Sequence, residues 1–245
     1  WIDVVPLVVV LTWPVVIHSA WELAHSLVSA RDPAGPEVER VVSTRRVVLV
    51  CALLVWADAS LIEPIAVAVG LWRWSVPGPF AVPLIGVLGW GLFAGLAAAG
   101  LERGERARRE ERSGWGGRAL LLSAGLSVHV LLLALWWGGL RLLPPLGEPL
   151  ALAGICLLSL LACAAAARGP RAQGAVLWRR APGAGFFFCL LMWQVRSPWL
   201  WAWAGALALP YFVLVARATR GPRRPSGLEA TLGSRPGAPP TSSGR

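Results

Sequence analysis

The chain has 245 residues, 56% of them hydrophobic and only 15% charged, with a mean hydropathy of +0.61. A soluble domain is nearer a quarter charged, so this composition excludes a water-soluble globule and implies repeated membrane crossings. The formal net charge of +10 comes from 23 arginines and no lysine, which rules out any chemistry built on a lysine Schiff base. A nucleic-acid partner is not required either, because the arginines lie in the connections between apolar runs, where they orient a membrane protein.

In chain order the apolar runs fall at 4–29, 47–69, 84–101, 119–142, 150–167, 184–195 and 198–216. They predict an all-α, polytopic membrane bundle of about seven transmembrane segments over residues 1–218. A disordered tail rich in Pro, Gly and Ser is expected over 219–245. The opening run lacks a basic leader and carries Asp3, so no cleavable signal is expected. The sixth run is too short to span comfortably; it either forms a hairpin with the seventh through Arg196-Ser197-Pro198 or dips in and returns.

Arginine placement fixes an expected orientation. The connections 30–46, 102–118 and 168–183, with everything after 216, hold twenty arginines, against Arg73, Arg141 and Arg196 on the other side. The positive-inside rule then places the N-terminus outside and the C-terminus in the cytoplasm, with a bacterial cytoplasmic membrane as the expected location. Residues 102–112, ERGERARREER, read as a solvated helix extension without chemistry. Gly91 and Gly95 give a GxxxG spacing suited to close helix packing. Cys51, Cys156, Cys163 and Cys189 show no CxxC pairing and read as small buried hydrophobes.

Ionisable groups inside apolar runs are costly and mark working sites more often than not. The first run carries His18, Glu22 and His25 at i, i+4 and i+7, one stripe of a helix. Three ligands from a single helix make a poor metal cage, and no second HxxxH or ExxH completes one, so no metal is expected. The histidines are better suited to holding Glu22 by hydrogen bonds. The second run carries Asp58 and Glu63, the fourth His129. At about 1.5 Å per residue from the nearest cytoplasmic arginine, His18, Asp58 and His129 all lie roughly 16–20 Å deep, near mid-membrane. Either they form a packing network or they serve one site.

The stretch 58–90, DASLIEPIAVAVGLWRWSVPGPFAVPLIGVLGW, is the densest part of the chain. Its two acids are five positions apart, which puts them on different faces of a regular helix, so one is expected to act while the other is paired, with Arg73 or a histidine as the partner. Pro64 disturbs the helix beside Glu63. Trp56, Trp72, Trp74 and Trp90 bracket the carboxylates and could hold a flat apolar ligand or a transient cation; an ordinary interfacial belt explains them as well.

Asp58, Glu63-Pro64, Gly70-Leu71-Trp72-Arg73-Trp74, Phe80-Ala81-Val82-Pro83 and Gly89-Trp90, in this order, resemble the membrane family of carotenoid biosynthesis proteins that includes the carotenoid 1,2-hydratases (bisanhydrobacterioruberin hydratase-like). The resemblance covers 35–40 residues. Two positions depart from it: the family's Asp-Pro is Glu63-Pro64 here, and its Asn-Phe pair falls on Gly86-Val87. The resemblance implies addition of water across the terminal double bond of an acyclic carotenoid, or of another long isoprenoid, within membrane lipid and without a cofactor. Asp58 or Glu63 would supply the proton, and Glu22 with His18 would position water. Trp56, Trp72, Trp74, Trp90, Phe80, His25 and His129 would contact the substrate. Isomerisation or cyclisation of an isoprenoid end, a carrier or assembly role without chemistry, or a metal-dependent membrane enzyme using His18 or His25, are the alternatives.

Overall fold

The computed structural model describes residues 7–29, 44–75, 78–111, 113–142 and 147–219; the expected tail lies outside them. Among the described residues the chain is all-helical. Seven α-helices run over Leu7–Ser29 (α1), Thr44–Ala68 (α2), Leu84–Arg109 (α3), Trp115–Gly138 (α4), Glu148–Arg168 (α5), Gly174–Gln194 (α6) and Pro198–Thr219 (α7). Single 3₁₀ turns lie at Pro79–Ala81 and Leu140–Leu142. Five of the helices, α2, α3, α4, α5 and α7, are long and apolar enough to cross a membrane. The protein is an integral-membrane helical bundle.

Helix α2 is the element the others pack around. Its first half closes one buried cluster with α1 and α3, through Val47, Cys51, Val55 and Ala59 against Ile17, Ala20, Ala24, Ala94 and Ala98. Its second half closes another with α5, α6 and α7, through Leu61 and Ile65 against Ile155, Leu191, Leu200 and Leu207. The α2–α3 seam is close because it is built from small residues: a Cβ at Gly91 would lie 3.1 Å from Trp56 Cβ, and one at Gly95 would lie 3.4 Å from Ala52 Cβ. The GxxxG spacing therefore serves packing. Of the cysteines, Cys51 is buried as expected, whereas Cys189 is exposed on α6.

Prolines inside helices do more here than bend them. Pro64 has no N–H, so the carbonyl of Ser60, one turn earlier, loses its helical donor. In hydrocarbon an unpaired carbonyl costs several kcal/mol by order of magnitude. Trp203 of α7 donates its indole N–H to that Ser60 oxygen at 2.7 Å. The same logic recurs at Pro210 in α7, where the freed carbonyl of Ala206 accepts the hydroxyl of Ser159 from α5. Two helix-breaking residues thereby become two interhelical ties.

The sixth helix corrects the sequence expectation. The run 184–195 is too short to span by itself, but α6 begins ten residues earlier, at Gly174, and continues through Arg179, Arg180 and Pro182. Two arginines interrupt the apolar pattern that hydropathy follows, and both are neutralised by acids of other helices. Helix α6 then turns through Arg196 and Ser197 into α7, the hairpin that the sequence offers as one of its two options.

Candidate active site

The end of α2 is set by its glycine. Gly70 takes a φ of +76°, with Gly70 N–H donating to Val67 and Leu71 N–H to Ala66, so the helix closes in a paired C-terminal motif. The chain leaving it carries Trp72 and Trp74 back over the last turns of α2. Farther on, Phe80 and Ala81 both adopt left-handed backbone angles, at φ 53° and 59°. Two successive non-glycine residues in that region store strain, which clusters at functional sites. The Phe80 ring lies 5.3 Å from Trp203, and Pro83 then starts α3, which brings in Trp90.

These pieces converge on Glu63. Its side chain is fully buried, with 2% relative exposure, and it accepts three indole hydrogen bonds. Trp72 donates to Oε2 at 2.8 Å, Trp74 to Oε2 at 3.1 Å, and Trp90 to Oε1 at 2.8 Å. No cationic side chain among the described residues pairs with it, and Arg73 is exposed. Trp90 is held from behind by Trp13, stacked at 3.7 Å and 13°. Trp74 reaches its place because position 86 is glycine: a Cβ there would lie 2.9 Å from the Trp74 ring. The position at which the chain lacks the Asn of the family it resembles is thus the one that admits an indole.

Asp58, five residues earlier, faces the other way. It pairs with Arg180 of α6 through Oδ2 and accepts the Tyr211 hydroxyl of α7 at 2.9 Å through Oδ1. Arg180 also donates to Ser19 of α1 at 2.9 Å. This network ties four helices together around one neutralised carboxylate. The partner is Arg180, not Arg73 or a histidine.

The stripe on α1 does not act as a unit. Glu22 takes both oxygens to Arg179, at 2.7 and 2.8 Å, rather than to its neighbouring histidines. His18 is exposed and tilts against Trp21 at 5.5 Å. His25 contacts Glu102 at 2.5 Å, and Trp21 donates to the same Glu102 oxygen at 2.8 Å. Glu102 is therefore buried and bound, not part of a solvated extension. Among the described residues no three His, Cys, Asp or Glu side chains gather as a metal-ligand set. His129 lies on the exposed side of α4, away from both carboxylates. The Trp56 N–H is fully enclosed without a partner, and its ring edge packs toward Gly91, so Trp56 forms wall between α2 and α3.

Sequence reasoning missed Arg180, Tyr211, Trp203, Trp13 and Glu102. Arg180 had a signal: it lies between two apolar runs only if α6 is assumed to begin after it. For Tyr211, Trp203 and Trp13 no spacing pointed to a partner.

A membrane bundle with a buried acid under three indoles is the class these features define. The chain belongs to the carotenoid biosynthesis protein family, whose model matches residues 2–161. Glu63, Asp58 and all the tryptophans around Glu63 fall inside that span, while Arg180, Trp203 and Tyr211 lie beyond it. Neither a curated protein nor a solved structure matches the chain.

Proposed function

We propose that the chain is an acid-catalysed hydratase of the terminal double bond of an acyclic carotenoid, with Glu63 as proton donor. The observation that carries this reading is the Glu63 carboxyl, buried with no cation beside it among the described residues and faced by three indole N–H groups. Oε2 accepts two of these bonds and Oε1 one, so Oε1 is the atom with room for the transferable proton. As the proton passes to the less substituted alkene carbon, the π electrons form the new C–H bond. A tertiary cation remains on the neighbouring carbon, and charge develops on the carboxylate. Hydrogen bonds to an ionised acceptor are roughly twice as strong as neutral ones, so the three indoles bind the transition state more tightly than the ground state. The indole faces, Trp74 being 37% exposed, stabilise the cation. Water then adds to the cation and returns a proton to Glu63.

Asp58 is given no proton-transfer role, because Arg180 and Tyr211 occupy it. Glu22 and His18 are likewise left outside the chemistry, one engaged by Arg179 and the other on the exterior. No amide stands at position 86 to hold water, and this favours a second reading: the cation loses a proton instead, giving an isomerised or cyclised isoprenoid end by the same acid. In the proposed orientation, in a bacterial cytoplasmic membrane, the Trp72–Phe80 connection lies at the outer interface, where water and lipid-dissolved substrate both arrive.

The test is pigment analysis by mass spectrometry in a host that makes acyclic carotenoids. A product heavier by one water is expected, and Glu63→Gln should lower its formation about 10²–10⁴-fold, the usual worth of a general acid. A product of unchanged mass would select the second reading. Undiminished hydration by Glu63→Gln would remove Glu63 as the acid.

A further inference from the structure

We infer that the outward face of α4 is the contact between two copies of this chain, with His129 meeting its counterpart across a two-fold axis. Helix α4 packs chiefly on α3, burying Gly117, Ala124 and Val128. Its opposite face is exposed, including Leu122 at 84%, Leu126 at 72% and Leu133 at 59%. Lipid alone would satisfy those leucines. It does not satisfy His129, which shares their stripe: positions 122, 126, 129 and 133 recur at i, i+4, i+7 and i+11.

The contrast with other polar groups in the bundle sharpens the point. Ser159 on α5, the other peripheral helix, turns inward to Ala206 and leaves an outer face of leucines. His25 binds Glu102, and His18 touches Trp21. Among the described residues His129 has neither a hydrogen bond nor a ring contact. It lies about nine residues from the nearer end of α4, roughly 14 Å at 1.5 Å per residue, too far for an imidazole to reach the headgroups. A polar side chain in hydrocarbon seeks a partner on another helix.

A second copy fits best. A neutral imidazole is both donor and acceptor, so where a two-fold brings the same residue of two copies face to face, one His129 can donate an N–H to the bare ring nitrogen of the other. One polar residue within a leucine seam of seven-residue spacing also fixes register, as a single polar position does in coiled coils. At Gly125, one turn before His129, an added Cβ would meet nothing within 4 Å. Within the monomer that space is open; across a seam it lets backbones approach.

The experiment is association of the full chain in liposomes, read by energy transfer between two labelled populations over a range of protein-to-lipid ratios. The wild type should dimerise. His129→Leu and Gly125→Leu should each weaken the dimer by about five- to tenfold, the scale of one interhelical hydrogen bond. His129→Asn, which keeps a donor and an acceptor, should stay near wild type. Neither exposed site contacts the monomer core, so helical content should not change. A dimer weakened by His129→Leu alone still places the seam at His129. A monomer at every ratio, or a dimer indifferent to both leucine variants, overturns the inference.

Discussion

Helix α2 carries two acids five positions apart, Glu63 fully buried and Asp58 partly so, and they are kept by opposite means. Asp58 is balanced by a full cation, Arg180, and by the Tyr211 hydroxyl. Among the described residues Glu63 receives only neutral donors, three indole N–H groups. A charge met by a charge is locked, since moving a proton to or from it leaves the partner stranded in low dielectric. A carboxyl met by dipoles can change its protonation state while every hydrogen bond persists and merely strengthens or weakens. The same helix therefore offers one acid suited to holding the bundle together and one suited to chemistry.

The largest effect should come from breaking the locked site. Asp58→Asn keeps the shape and removes the charge, leaving Arg180 buried without a counter-ion. A loss of about 3–5 kcal/mol in stability is expected, as for other halved buried pairs. Denaturant titration in detergent measures it. Asp58→Asn combined with Arg180→Met should recover most of the loss, because it removes the stranded guanidinium charge while the amide oxygen introduced at position 58 still accepts the Tyr211 hydroxyl. If the double variant is no more stable than the single, the two groups are not a coupled pair. Conversion per folded molecule should survive in the double variant, which separates Asp58 from Glu63.

At Glu63 the order reverses: conversion should fall more than stability. Trp72→Phe deletes one N–H while leaving an aromatic ring, and a hydrogen bond to a charged acceptor is worth about 1.5–3 kcal/mol. Conversion should drop about tenfold or more, chiefly in kcat, because the bond matters most when charge has developed. Tyr211→Phe, the matching deletion at Asp58, should leave kcat nearly unchanged. Equal kcat losses in the two variants would erase the distinction drawn between the acids.

A smaller effect is expected from Gly86→Ala. Its Cβ would meet Trp74 at 2.9 Å, and the ring must shift by a few tenths of an ångström. The bond from Trp74, at 3.1 Å the longest of the three, should weaken first. A few-fold fall in conversion is expected with a melting temperature close to wild type. Gly86→Asn, which places the family's residue here, should exclude the Trp74 ring more completely and reduce conversion further.

The fold was legible because the bilayer demands long apolar helices with self-satisfied backbones, so seven runs in the sequence became seven helices. The exception was α6, where Arg179 and Arg180 hide half the helix from any hydropathy reading. The convergence of Trp72, Trp74 and Trp90 near Glu63 was legible from their proximity in sequence and from the motif they share. That indole edges rather than faces would meet the carboxyl was not, because ring orientation depends on Trp13 behind Trp90 and on the missing side chain at Gly86. The partner of Asp58 was illegible for a different reason. Arg180 lies 122 positions away, and nothing in either local sequence encodes the pairing. Glu102 misled because its neighbours at 103–112 are charged, although one turn of helix separates a buried position from a solvated one.

The finest test concerns Pro64, which directly follows Glu63 in α2. By withholding an N–H it frees the Ser60 carbonyl, and Trp203 of α7 occupies that carbonyl at 2.7 Å. Trp203→Phe keeps an aromatic ring against Phe80 but strands the carbonyl, at a cost of about 1–3 kcal/mol for a buried unsatisfied group. Pro64→Ala returns the missing helical donor, so in that background the same Trp203→Phe change should cost well under half as much. The two substitutions must therefore be strongly non-additive, with the double variant more stable than the sum of singles. Simple additivity would mean that Trp203 contributes through packing alone, and that Pro64 has no part in joining α2 to α7.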